Sequence, residues 1–186
     1  MSFEKEYYES PDFWDGEMLV DERNINRYKK TIDIIPQDVD SLVDIGCGNG
    51  VFLNKLKEIS KIKTLLGVDR SERALSYLKT EGLLSDINET KIPDNSFDCV
   101  SSLEVIEHLP IPQFEIALKE LTRVSKKYVL ISVPYKEDLE NAHTKCPSCS
   151  TIFNKELHLR SFNKQNFQNL LSKHGYKNIY TCLEGE

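Results

Sequence analysis

Apolar residues fall into two rhythms along this chain. Short runs rich in Val, Ile and Leu at 41–45, 64–69, 82–87, 97–103, 127–134 and 176–183 read as strands, several of them apolar on both faces. Between them, apolar positions three and four apart predict helices at 51–59, 71–78, 113–123 and 163–174, with Ser71 as an N-cap and Gly175 as a terminator. Alternation of this kind predicts an α/β fold: a doubly wound, mostly parallel sheet with helices on both faces. Residues 1–36 precede it as a helical lead-in, in which Ile25, Tyr28, Ile32 and Ile35 share a face and the helix ends before Pro36. Tyr7, Tyr8, Phe13 and Trp14 cluster beside Pro11. Tyr7, Tyr8 and Trp14 are candidates for a lid, with plain core packing the preferred explanation.

Composition narrows the class. A chain of 186 residues with 39% hydrophobic content can bury a core of its own and suits a single domain over 1–186. No apolar run approaches a membrane span, and the start Met1-Ser2-Phe3-Glu4-Lys5-Glu6 is charged, so the expected location is cytoplasmic. The net charge of −6 argues against a nucleic-acid partner. Residues 141–186 run the other way, with six Lys/Arg against three Asp/Glu, which suits a solvated surface or an anionic substrate.

The most informative stretch is Asp44-Ile45-Gly46-Cys47-Gly48-Asn49-Gly50, where a strand ends in alternate glycines and passes straight into a helix. Glycines can take φ > 0, and helix N–H groups then point at whatever lies against the bend, so a bulky nucleoside ligand can rest on bare backbone. The spacing is neither the dinucleotide G-x-G-x-x-G nor a P-loop. About 20 residues on, Leu65-Leu66-Gly67-Val68-Asp69 ends a second strand in an acid, the position of a ribose-hydroxyl acceptor. A carboxylate there can take two hydrogen bonds at once.

With these residues the sequence resembles the class I S-adenosylmethionine-dependent methyltransferases, and the resemblance extends over nearly the whole chain. It implies a Rossmann-like sheet in which a full seventh strand is not expected within these 186 residues, the last expected strand ending at 183; either the edge is left short or the natural protein continues. It implies cofactor contacts from Asp44, Gly46, Cys47, Gly48, Asn49, Gly50 and Asp69, with Arg70 over the adenine face or simply solvated. Asp86 would accept from the adenine amino group and Ile87 would meet the ring edge; a loop aspartate capping a turn is the alternative. Pro93-Asp94-Asn95-Ser96-Phe97-Asp98 resembles the family's entry to its fourth strand, and Asp98 is assigned to structure.

Glu104-Val105-Ile106-Glu107-His108 follows that strand, and by resemblance Glu104 lies near the methionine end of the cofactor. On a helical turn Glu104, Glu107 and His108 would share one face. His108, with an ordinary pKa of about 6.5, is the candidate general base, with Glu104 the other candidate catalytic residue. A histidine that merely shapes the cleft explains the position equally well.

The second informative feature is Cys146-Pro147-Ser148-Cys149, flanked by His143 and His158, in an insertion at 135–162 after the fifth strand. In a reducing compartment such a pair reads first as thiolate ligands, and His143, Cys146, Cys149 and His158 supply the four donors of tetrahedral zinc. Some bacterial methyltransferases carry a similar insertion, matched here by Cys146, Cys149, Phe153, His158, Arg160 and Phe162. A competing site comes from a resemblance to small-RNA 3′-terminal 2′-O-methyltransferases, whose E-x-x-E-H motif and later histidine hold a divalent ion. Glu104, Glu107 and His108 match it, and His158 or His143 would be the later donor. The expected function is methyl transfer from S-adenosylmethionine to an oxygen of a small-molecule or glycan-type acceptor. The alternatives are metal-dependent RNA ribose methylation and a non-catalytic S-adenosylmethionine-binding module that docks a protein.

Overall fold

The apolar runs pair side by side. A computed structural model describes residues 9, 10, 14, 22–177 and 179–183, so Tyr7, Tyr8 and Phe13 lie outside the described residues. Strands β1 (Ser41–Ile45), β2 (Thr64–Asp69), β3 (Glu81–Leu84), β4 (Phe97–Leu103) and β5 (Ser125–Ser132) form a sheet in the order β3-β2-β1-β4-β5, every pair parallel. This is the expected Rossmann-like, doubly wound arrangement. The strand order reverses beside β1, so a crevice opens at the carboxyl ends of β1 and β4, where such sheets bind ligands.

Helices α1 (Glu22–Asp33), α2 (Val51–Ile59), α3 (Glu72–Leu75), α4 (Gln113–Val124) and α5 (Lys164–Lys173) flank the sheet. Leu42 faces α1 and α2, packing with Phe52, Leu53, Leu56, Tyr28 and Ile32, whereas the adjacent Val43 and Ile45 face Leu121 and Val124 of α4. β1 is therefore apolar on both sides because both sides are covered. A third cluster, built from Ile106, Phe114, Leu118, Phe162, Phe167 and Leu171, joins α4 to α5. Ser71 caps α3 as anticipated, accepting from the Ala74 N–H at 3.0 Å. Among the described residues no helix is long and apolar enough to cross a membrane.

Two elements differ from expectation. The third strand stops at Leu84 rather than running to 87: the Ser85 N–H makes the last bond to β2, at the Asp69 carbonyl (3.0 Å), and Asp86 then caps a turn by accepting from the Asn88 N–H (2.9 Å). Described residues within 176–183 form no strand. Tyr176 and Ile179 pack on the helix cluster instead, and the Tyr176 hydroxyl donates to the Leu118 carbonyl at 2.8 Å, so the apolar alternation serves α4 and not the sheet edge.

Past β5 the chain makes an excursion that leaves and returns at one place. Tyr135 bridges Phe162, and the Lys136 N–H donates to the Phe162 carbonyl at 2.7 Å. Within it β6 (His143–Lys145) and β7 (Ile152–Asn154) form an antiparallel hairpin.

Candidate active site

The bend after β1 is built from glycines at φ 82° (Gly46), 54° (Gly48) and 74° (Gly50). Gly46 and Cys47 N–H groups both donate to the Val68 carbonyl (2.8 and 3.0 Å), which staples the bend to β2. The absence of side chains is used differently from expectation. A Cβ on Gly46 would lie 2.6 Å from Val105, and one on Gly50 2.2 Å from Leu78, so neighbouring side chains fill the space that a ligand was expected to take. The N–H groups of Gly46, Cys47, Gly48 and Gly50 are all taken within the protein, so the donors that remain are those of the first turn of α2. Gly50 starts α2 without a side-chain cap, and no acid stands in the first turn, so a positive helix end faces the crevice. Trp14 stands over Gly48, its ring 3.0 Å from where a Cβ would be, which puts it at the bend and not in the sheet core.

Asp69 projects into the same place from the end of β2. Its Oδ2 accepts from the Gly48 N–H (2.8 Å) and its Oδ1 from the Ser71 N–H (2.9 Å), with the Arg70 N–H also drawing on the carboxylate, which has about four acceptor sites in all. Burial raises its pKa, against the pull of those N–H groups. Asp86 is exposed and Ile87 half-buried at the next strand end, and Arg70 follows Asp69 directly. Asn49 is half-buried at the bend.

Two expected cofactor residues turn inward. Cys47 packs among Leu42, Phe52 and Leu53, and burial drives its thiol pKa far up, so only its backbone belongs to the site. Asp44 is buried beneath the bend, where the Ser101 hydroxyl donates to its Oδ1 at 2.7 Å. Desolvation raises its pKa to about 6. An acid that holds its proton more tightly folded than unfolded loses stability as pH rises from its unfolded value to its folded one. About 3 kcal/mol should therefore disappear between roughly pH 4 and 6. Asp44→Asn should unfold at higher urea than the parent at pH 8, and the gap should shrink toward pH 4.

Glu104, Glu107 and His108 do not lie on one helical face. Glu104 takes φ 57°, outside the single 3-10 turn Ile106–His108, so the helical spacing never starts at residue 104. Its carboxylate meets Arg27 of α1 (3.1 Å) and accepts from the Ser132 hydroxyl (2.7 Å). Glu107 is 0% exposed, and neither of its carboxylate oxygens has a hydrogen-bond partner among the described residues. Burial, reinforced by the nearby Glu104 charge, lifts its pKa to about 8. His108 is driven down to about 4 by burial and by the neighbouring His158, so it is a neutral ring and a weak base where a base near neutrality was expected.

His158 completes this group. Its ring meets that of His108 at 4.6 Å, its Nε2 lies 4.0 Å from Glu107, and its Nδ1 bonds the Glu137 carboxylate. Ligand atoms of Glu107, His108 and His158 fall within 4.8 Å of one another, the one such group of three or more among the described residues. Two imidazole nitrogens beside an unpaired buried carboxylate suit a divalent cation, because a second positive partner removes the cost of ionising Glu107. The four residues expected as a zinc quartet are not grouped among the described residues. His158 is drawn to Glu107 and Glu137, His143 turns its Nδ1 to the Glu140 carbonyl (2.8 Å), and Cys146 and Cys149 stay on the hairpin without either.

Sequence reasoning missed Arg27, Ser132 and Glu137. Only Arg27 left a trace, a cation one position before Tyr28 on the apolar side of α1.

The bend, the acids and the buried cluster are contiguous: Val105 touches Gly46, and Glu107 and His108 follow it in the chain. A family model described as a methyltransferase domain matches residues 43–132, which contain all of them except His158. The chain is 35% identical over 98 residues to the sterol 24-C-methyltransferase of Aspergillus fumigatus, covering 46% of this chain and 25% of that protein. It is 31% identical over 86 residues to the ubiquinone biosynthesis O-methyltransferase of Saccharophagus degradans, covering 41% and 36%. The chain thus spans well under two thirds of these curated relatives. In fold it resembles the crystal structure of a SAM-dependent methyltransferase from Archaeoglobus fulgidus, with a TM-score of 0.67, 22% identity, and coverage of 95% of this chain and 76% of that one.

Proposed function

Because the chain belongs to the class I S-adenosylmethionine-dependent methyltransferase family, we propose that it transfers a methyl group from S-adenosylmethionine to an oxygen of a small-molecule or glycan-type acceptor, held at Glu107, His108 and His158. S-adenosylmethionine supplies an already activated methyl group, so the protein's work is placement and exclusion of water. Asp69 takes the ribose hydroxyls, the N–H groups at the start of α2 face the amino-acid end, and Asp86 with Ile87 borders the adenine. Trp14 covers the bend as a lid. Glu104, fixed by Arg27 and Ser132, walls the methyl-transfer end.

The observation that carries the oxygen-directed reading is the unpaired buried carboxylate of Glu107 beside two imidazoles, two residues past Val105, which walls the glycine bend. A hydroxyl acceptor needs its proton removed. A divalent ion on these residues would lower the hydroxyl's pKa, which the weakly basic His108 alone does not do. His158, oriented by Glu137, would present Nε2 to the ion as a carboxylate-backed ligand.

A second reading, ribose 2′-O-methylation at an RNA end, draws on the same group, because Glu104, Glu107, His108 and His158 match the pattern that the small-RNA enzymes carry. The net charge of −6 weighs against it. The deciding experiment measures S-adenosylhomocysteine release with catechol-type and sugar-diol acceptors and with a short RNA bearing a free 3′ end, each with manganese or magnesium and with chelator. Metal-stimulated turnover of the small acceptors supports the first reading. Turnover of RNA alone supports the second, and metal-independent turnover removes the cation from both.

A further inference from the structure

The thiol pair left over from the active site has its own geometry. Cys146 and Cys149 occupy the tip of the β6/β7 hairpin, a tight turn in which the Cys146 N–H donates to the Thr151 carbonyl and the Ser150 N–H to the Cys146 carbonyl, both at 2.9 Å. Ser150 follows the second cysteine at φ 62°, a left-handed conformation that a non-glycine residue adopts at a cost of about 1 kcal/mol or more. Cys149 Sγ lies 3.2 Å from Thr151 Oγ1. The hairpin thus carries two sulfurs on one rigid turn, with polar groups turned toward the outer one.

Tetrahedral zinc needs four ligands, and the turn provides two. No third histidine, cysteine or carboxylate groups with the pair among the described residues, and His158 is engaged with Glu107 and Glu137. The hairpin tip is open, Cys149 being exposed and Ile152, paired with Lys145, 69% exposed. A twofold axis through such a tip brings the same two sulfurs from a second copy and closes a four-thiolate site, with Ile152 meeting its symmetry mate. We propose that Cys146 and Cys149 are half of a zinc site whose other half is the same pair of a second copy of this chain, so that zinc ties two chains together through their hairpins.

The test needs no turnover, so its result is independent of the proposed methyl transfer. Full-length protein stripped with chelator and reduced is titrated with zinc, or with cobalt(II) as a coloured substitute, while molar mass is followed by light scattering. Expected, beyond any ion taken up at Glu107, His108 and His158, are about one thiolate-bound metal ion for every two chains, tetrahedral thiolate absorption with cobalt, and a doubled mass that chelator reverses. Cys149→Ser should abolish the doubling while its far-ultraviolet circular dichroism and melting profile match the parent. His143→Ala should retain the doubling, because His143 lies outside the proposed ligand set. A monomer that shows thiolate–cobalt absorption, a monomer that shows none, or a dimer that survives Cys149→Ser overturns the proposal.

Discussion

Asp69→Asn should weaken S-adenosylmethionine binding roughly 10- to 100-fold in calorimetric titration, with little loss of fold. The carboxylate already accepts from Gly48 and Ser71 and is drawn on by the Arg70 N–H, and its acceptor sites exceed these donors, leaving room for the ribose. Asparagine keeps one oxygen but turns the other position into a donor facing donors, so at least one charge-assisted hydrogen bond is lost. Such bonds contribute about 1.5–3 kcal/mol, which is one to two factors of ten in affinity. The fold should tolerate the change because burial already disfavours the ionised form of Asp69, so neutralising it removes a desolvation cost while sacrificing an N–H contact. An affinity within twofold of the parent, at an unchanged melting temperature, would show that the adenosyl group lies elsewhere, and the reading of the bend would fail with it.

That half of the site was readable in sequence because it is local. A strand, a glycine bend and a helix are consecutive, and the next strand's last residue returns to the bend by the sheet's own register, Asp44 opposite Gly67 and Ile45 opposite Val68. Geometry of this kind follows from chain order. The inward turn of Cys47 was not readable, since a bend can aim that side chain at ligand or at core, and only the closeness of its sulfur to Gly67 shows which.

The other half depends on where distant segments come to rest. Glu107 and His108 are adjacent, but their partner His158 arrives 50 residues later from an insertion whose path no periodicity records. Cysteine spacing says that two thiols can meet and is silent about which histidines join them. Here the insertion closes at Tyr135 and Phe162, which directs His158 down toward Glu107 while the hairpin carries the cysteines outward. The assumption of a helical face at 104–108 failed for a backbone reason, the left-handed conformation of Glu104, which sequence does not announce for a glutamate.

Glu107→Gln should separate catalysis from stability in opposite directions. If Glu107 helps hold the ion that activates the acceptor, its loss removes several kcal/mol of transition-state stabilisation. At 1.36 kcal/mol per factor of ten, turnover should fall by roughly 10²–10³-fold. Affinity for S-adenosylmethionine should stay near that of the parent, since Asp69 and the bend are untouched. Stability should move the other way. An acid whose pKa rises from 4.5 to about 8 on folding costs the metal-free protein stability at every pH above its unfolded value, and the loss is complete only above pH 8. Near pH 7.5 that cost is on the order of 4 kcal/mol, and glutamine, which has nearly the same shape and no charge, escapes most of it. Chelated Glu107→Gln should therefore melt above the chelated parent at pH 7.5, and adding manganese should raise the parent's melting temperature while leaving the variant's unchanged. A structural glutamate would give the reverse pattern, a lower melting temperature with turnover falling only in proportion to unfolded protein. The opposition between a buried charge that weakens the fold and the same charge serving chemistry is the physical reason for assigning this cluster to the active site.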